Sequence, residues 1–248
     1  MTTPVLEVRE LTKSFGGVRA TRNVSFHVLP GQVHAVIGPN GAGKTTLMAQ
    51  IFGELPSDGG QVHFEGRDLA GLAPERRARL GMARSFQITT LAPELTAREH
   101  VVLSLAALQG HAFRFFAPVM QDRGLTAAAD RLLAAHRLAE RVAVPVSELS
   151  HGEQRVLEQV TALATEPRLL LLDEPMAGLG PGEGQAFIET LAALKGRLAM
   201  LLVEHDMGAV FALADWITVL VEGAVAAQGT PEEIRGDPEV RRVYLQED

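Results

Sequence analysis

The chain has no cysteine among its 248 residues. That excludes disulfides and thiolate metal sites and fits a reducing compartment. Long apolar runs are also missing: stretches such as Leu169–Leu172 and Leu198–Val203 fall far short of the about 18 residues that span a bilayer. Nor is there an excess of positive charge. With 23 Lys and Arg against 30 Asp and Glu the net charge is −7, which argues against a nucleic-acid-binding surface. The eight histidines show no metal-ligand spacing, and no internal repeat or low-complexity tract occurs. Ahead of Val5, Met1-Thr2-Thr3-Pro4 offers neither the basic nor the apolar region of a secretory leader, so none is expected.

What is present is 46 % hydrophobic residues, enough for one large domain or a core with an inserted lobe. Val5–Val8, Asn23–Leu29 and Gln61–Phe64 alternate as strands do. Val33–Ile37 is a continuous apolar strand. From Leu91 the character changes. Thr96-Ala97-Arg98-Glu99 is a capping-box pattern that starts a helix running to about Gln109 and stopped by Gly110. Leu125–Arg141 is a second expected helix. After Pro167 come strand Leu169–Leu172, a helix over Gly182–Lys195 and strand Leu198–Val203. Trp216–Leu220 and Ala224–Ala227 close the sheet, and Pro231–Glu247 reads as helical turns. Strands alternating with helices predict an α/β fold: a mostly parallel sheet, an antiparallel β layer and an all-helical insertion.

Val33–Ile37 leads into Gly38-Pro39-Asn40-Gly41-Ala42-Gly43-Lys44-Thr45, a complete phosphate-loop pattern, with Thr46 next. Glycines let backbone N–H groups turn inward around phosphate oxygens. The helix that begins there adds its positive end, Lys44 brings charge to the β- and γ-phosphates, and Thr45 a hydroxyl for Mg²⁺. The loop binds a nucleotide.

Asp173 follows four leucines at the carboxyl end of a buried strand, where open α/β sheets place ligands. Beside such a loop it is the natural holder of Mg²⁺. Glu174 comes next and points the other way, able to polarise an attacking water. A base of that kind contributes about 10²–10⁴ in rate. Upstream, Ser150 and Glu153 of Leu149-Ser150-His151-Gly152-Glu153-Gln154 form a second capping box, which starts a helix with its positive end exposed.

Together these residues resemble the ATP-binding subunit of ATP-binding cassette (ABC) transporters, and the resemblance covers essentially the whole chain. Leu149–Gln154 stands where that family has its Leu-Ser-Gly-Gly-Gln signature. The resemblance implies a P-loop NTPase (RecA-like) core at 1–86 and 151–248 and a helical lobe at 87–150. It implies ATP and Mg²⁺ as ligands and a head-to-tail dimer, in which Ser150 and Gly152 meet the γ-phosphate held by the partner. Gln87, in Ala83-Arg84-Ser85-Phe86-Gln87, stands at the family's Q-loop and would touch Mg²⁺ or water. His205, after Val203-Glu204, stands where the switch histidine bonds the γ-phosphate. Phe15 stands where an aromatic stacks on adenine; a core phenylalanine is the other reading. Two positions depart from the pattern: His151 replaces a signature glycine, and Gly180 replaces the aspartate of the D-loop.

Finer likeness points to importers of branched-chain amino acids. It rests on Phe15-Gly16-Gly17-Val18, Ala83–Gln87, Leu95–Glu99, Glu204-His205-Asp206-Met207 and the end from Gly229. Urea and amide importer ATPases, exporter ATPases and non-transport ABC proteins are the alternatives. The implied partners are transmembrane permease subunits, a second ATPase subunit (the same chain or a paralogue) and, indirectly, a solute-binding protein; no nucleic acid is expected. The implied location is peripheral, on the cytoplasmic face of the membrane. Phe113, Phe115 and Phe116 either receive a coupling helix of the membrane subunit or fill a gap between two lobe helices.

Overall fold

The computed structural model describes residues 2–85, 91–108, 119–238 and 240. Gln87, Phe113, Phe115 and Phe116 lie outside the described residues, as does most of the tail expected to be helical after Gly236. The chain divides into two compact units.

The first unit comprises Met1–Arg84, Arg168–Pro175 and Leu191–Asp248. Its β layer consists of β1 (Leu6–Phe15), β2 (Val18–Val28), β4 (Gly59–Phe64) and β5 (Arg67–Asp68), in order β2-β1-β4-β5. All three pairings are antiparallel. The second sheet is built around β3 (Val33–Ile37), with β8 (Ala199–Val203) parallel on one side and β9 (Trp216–Val221) parallel on the other. Beyond β8 lie β7 (Leu169–Asp173) and β6 (Met82–Ser85); beyond β9, β10 (Ala224–Gly229) returns antiparallel. Every residue of β3, β7 and β8 is buried. That is why those segments are apolar runs rather than alternations: a parallel strand covered on both faces has no wet side.

Leu6, Leu11 and Phe64 of the β layer share one core with Leu47, Met48 and Ile51 of α1 (Lys44–Phe52) and with Leu169, Leu171 and Leu201. Each such side chain contributes about 1.5–3 kcal/mol on burial. Among the described residues the unit also holds the short helices α2 (Pro74–Arg79), α7 (Met207–Leu213) and α8 (Pro231–Gly236). At six or seven residues, α2 and α7 are too short to show a helical period, and the sequence did not announce them.

A polar chain crosses this core. Buried His34 sits 2.9 Å from the His27 carbonyl through Nδ1 and 2.8 Å from Thr218 Oγ1 through Nε2. A carbonyl only accepts, so Nδ1 carries the proton and Nε2 accepts from the threonine hydroxyl. Gln228 donates to Thr218 Oγ1 and to the Ser25 carbonyl, closing the chain between β2 and β10.

The second unit comprises Ser85–Pro167 and Met176–Thr190. It contains α3 (Ala97–Leu108), α4 (Arg123–Ala135) and α5 (His151–Leu163), and most of α6 (Pro181–Ala192). Ala97, Val101, Val102, Leu125, Ala129, Leu133, Leu157 and Val160 form its core. Because α5 contributes Leu157 and Val160, this unit extends beyond the 87–150 segment expected for the lobe.

Thr96 and Glu99 exchange the expected capping bonds, at 2.7 and 3.3 Å. The helix expected over Leu125–Arg141 is shorter and starts earlier. Asp122 caps it by accepting from the Gly124 and Leu125 N–H groups, and it stops at Ala135. Arg137 then takes a left-handed φ of 63°, which no helix continues through, and Ala139–Arg141 form a separate 3₁₀ turn. Among the described residues no helix is long and apolar enough to cross a membrane.

Candidate nucleotide-binding site

The loop from Gly38 joins central strand β3 to α1. Gly43, the residue before the helix, has φ 97°, and a Cβ there would stand 2.0 Å from the Ala20 carbonyl oxygen. No side chain fits, and only glycine adopts that φ without strain. No side chain caps α1 and its first turn holds no acidic residue. Its N–H groups therefore face the loop uncompensated, the condition under which a helix start attracts an anion. Thr45 is exposed in that first turn.

Lys44 is 6 % exposed. Its ammonium donates to the carbonyls of Gly38 at 2.6 Å and Pro39 at 3.1 Å, folding back over the loop's own entrance. Burial lowers its pKa, and the charges of Glu174 and Asp173 oppose that shift. The ammonium and the two carboxylates thus share one electrostatic neighbourhood.

Asp173 closes β7 and is 1 % exposed. Burial raises its pKa; the neighbouring Arg84 guanidinium acts the other way. Arg84 donates to Asp173 Oδ2 at 2.9 Å, while Asp173 Oδ1 is buried and has no hydrogen-bond partner. Glu174 is half-buried. Its backbone turns left-handed, at φ 47°, and its N–H donates to the Val203 carbonyl at 2.8 Å. That conformation costs a glutamate on the order of 1–3 kcal/mol and takes the residue off the line of the strand.

His205 follows β8 with its side chain 61 % exposed. Behind it the fully buried Glu204 accepts from the backbone N–H of His205 at 2.9 Å and of Asp206 at 3.2 Å. The loop is held from inside, and the imidazole keeps its Nδ1 3.7 Å from Glu204 Oε2 while most of the ring is exposed. Phe15 is 50 % exposed, with Lys13 Nζ 5.7 Å from its ring centroid. It is therefore not a core residue.

In the second unit, Ser150 and Glu153 complete the capping box of α5, at 2.8 and 3.2 Å. Arg141 holds Glu153 from the other side at 2.7 Å, and the bond from the Ser150 N–H leads the causes that lower the Glu153 pKa. Ser150 and His151 are exposed. Gly152 is not: it is buried, and a Cβ on it would stand 2.2 Å from Glu183 Oε1. Glu183 of α6 therefore lies close against Gly152, while Ser150 and His151 at the helix start stay exposed. Ser150, Gly152, Glu153, Glu183, His136 and Leu138 are among the residues lining a cavity of about 240 Å³.

Arg84, Glu204 and Glu183 are the residues sequence reasoning passed over. Arg84 and Glu204 lie inside the quoted motifs, but nothing in a one-dimensional pattern gives a buried charge its partner. Gln87 is outside the described residues.

The chain matches the ABC transporter family over residues 21–177 and the branched-chain amino acid ATP-binding cassette transporter family over residues 224–245. It is 38 % identical to the high-affinity branched-chain amino acid transport ATP-binding protein BraF of Pseudomonas aeruginosa, with all of both chains covered. To LivG of Escherichia coli it is 37 % identical, again over both whole chains. Among solved structures, the ADP conformation of MJ1267, an ATP-binding cassette of an ABC transporter, superposes with a TM-score of 0.86 at 30 % identity, covering 99 % of this chain and all of that one. A nucleotide-free ATP-binding cassette gives 0.85 at 29 % identity, covering 97 % and 98 %. The chain belongs to the ABC transporter family, as one of its ATP-binding cassettes.

Proposed function

We propose that this ATPase is the energy-supplying subunit of an importer for branched-chain or other amino acids. The observation that carries the solute class is the end-to-end identity with BraF and LivG, reinforced by the separate match of residues 224–245. ATP sits with its phosphates on Gly38–Thr45, against the uncapped start of α1 and Lys44. Phe15, exposed at the β1–β2 turn, takes the adenine face. Glu174 orients and deprotonates the attacking water, and His205 bonds the γ-phosphate.

Thr45 and Asp173 would hold Mg²⁺, with Gln87. The fit rests on two groups: a buried Asp173 Oδ1 with no partner and an exposed threonine in the first turn of α1. Both are hard oxygen donors, and few protein ligands suffice when phosphates supply the rest. When bound, the ion neutralises charge that develops on the phosphates.

Two cassettes, identical or paralogous, close over two ATPs with Ser150 and Gly152 of each facing the partner's γ-phosphate. Closure and reopening move permease subunits at the cytoplasmic face of the membrane. The test is to isolate the chain with the permease subunits that co-purify with it and place the complex in proteoliposomes. Leucine or a related amino acid, presented with its binding protein, should stimulate ATP hydrolysis and enter the vesicles. Stimulation by urea or short amides with none by amino acids would overturn the solute class.

A further inference from the structure

Arg84 lies at the centre of an ion-pair relay that the nucleotide reading does not use. It sits on β6, its side chain is 6 % exposed, and its two terminal nitrogens point to different carboxylates. One donates to Asp173 Oδ2 at 2.9 Å, the other to Glu54 Oε2 at 2.5 Å. Glu54 stands two residues beyond the last residue of α1, the helix whose first turn carries Lys44 and Thr45. The relay Glu54–Arg84–Asp173 therefore ties the far end of the phosphate-loop helix to the tip of β7.

Its effect on Asp173 is directional. A carboxylate has two oxygens in one plane, so anchoring Oδ2 decides where Oδ1 points. In this chain Oδ1 is left buried and unpartnered, which costs free energy unless some ligand completes it. A guanidinium suits the anchoring role. It is planar, permanently charged, and its fork addresses two carboxylates at a fixed angle. A lysine would reach only one of them in a defined geometry.

We infer that Arg84, braced by Glu54, is a positioning residue that presets the Asp173 carboxylate so that Oδ1 is presented to the magnesium ion accompanying the nucleotide. This rests on the assignment of Asp173 to that ion. Groups that orient a metal ligand in this way typically change metal affinity when lost, whereas an ion pair that only stabilises the fold does not.

The experiment measures binding rather than turnover. Binding of a fluorescent ATP analogue to the purified chain is titrated with Mg²⁺, beside its binding in EDTA. Arg84→Met should raise the half-saturating Mg²⁺ concentration about 10–100-fold while leaving affinity in EDTA within about twofold. Arg84→Lys should recover part of the loss. Glu54→Gln, which keeps the Arg84–Asp173 pair but loosens its brace, should fall between wild type and Arg84→Met, and it decides the matter if Arg84→Met does not fold. An unchanged Mg²⁺ requirement in a folded Arg84→Met protein overturns the proposal, as does a lowered one, which would make Arg84 a competitor of the ion. Asp173→Asn separates the two levels. If it leaves the Mg²⁺ requirement unchanged, the assignment of Asp173 fails. If it raises the requirement and the Arg84 and Glu54 variants do not, only the relay fails.

Discussion

Glu183 places its carboxylate over Gly152 so closely that a Cβ on the glycine would stand 2.2 Å from Oε1. Its other oxygen, Oε2, accepts from the Gly180 N–H at 3.1 Å. One acidic side chain therefore serves two backbone segments, the first turn of α5 and the approach to α6. Negative charge near a helix start contributes about 0.3–1 kcal/mol. It also lies beside Gly152, which is proposed to face a partner's γ-phosphate. Glu183→Ala should lower stability by about that amount and lower the KM for ATP, because a competing anion has gone. A raised KM would show that the carboxylate supports docking instead.

Gly152→Ala probes the same contact from the other side. What the new methyl meets is the end of a flexible side chain, so Glu183 can swing away and the fold should survive with a small fall in Tm. The Gly180 N–H would then lose its acceptor, a net loss of about 1 kcal/mol. A fall corresponding to several kcal/mol would mean that the carboxylate has nowhere to move.

Gly180 itself is half of a capping box. Glu183 supplies the reverse bond, but glycine has no side chain to return it. Its φ is not positive, and a Cβ would lie 3.7 Å from Glu183 Oε2, an ordinary contact. Gly180→Asn should therefore stabilise the chain by about 0.5–1 kcal/mol, through the added cap and a less flexible unfolded state. Thermal unfolding checks it; a drop in Tm would mean that the position is strained for other residues.

His34 makes the fold sensitive to acid. Burial lowers its pKa to about 4, from 6.5, because protonation would put a charge in the core and remove the acceptor that Thr218 needs. The folded state favours the neutral ring, so this contribution is fully present above pH 6.5 and is lost as pH falls through 6.5 towards 4. The loss reaches on the order of 3 kcal/mol. Urea unfolding at pH 7.5, 5.5 and 4.5 should show stability declining in that window. His34→Gln, less stable at pH 7.5, should show a shallower decline; an equal slope would assign the acid sensitivity to other groups.

The parts of this site that were readable in sequence are those whose physics is local. Val33–Ile37 is buried on both faces and so had to be an apolar run, and the loop after it needs glycine because Gly43 is pressed against a carbonyl. Ser150 and Glu153 cap a helix three residues apart, within reach of a pattern. Arg84 and Asp173 are 89 residues apart, and Glu183 reaches Gly152 from another helix. No spacing rule announces such pairs, since either charge would look like an ordinary solvated one. The early end of α4 was hidden for a related reason: the left-handed turn falls on Arg137, a residue type with no preference for it.

Glu174 and Ser150 offer the sharpest separation of chemistry from assembly. Glu174→Gln keeps size and shape and removes the proposed base, so ATP binding should persist while turnover falls about 10²–10⁴-fold. The ATP-bound dimer should accumulate because it no longer resets. Unchanged turnover would sink the assignment of Glu174. Ser150 lies in the second unit and is exposed, so Ser150→Arg should leave nucleotide binding by one subunit nearly intact while blocking hydrolysis. Mixing settles whether the site is shared. Each variant alone should be inactive, and each half-site fails differently: the Glu174→Gln chain still offers a sound Ser150, and the Ser150→Arg chain a sound Glu174. A mixed dimer then contains one complete composite site, and mixing the two inactive proteins should restore part of the activity. If mixing restores nothing although mixed dimers form, Ser150 does not act on the partner's nucleotide.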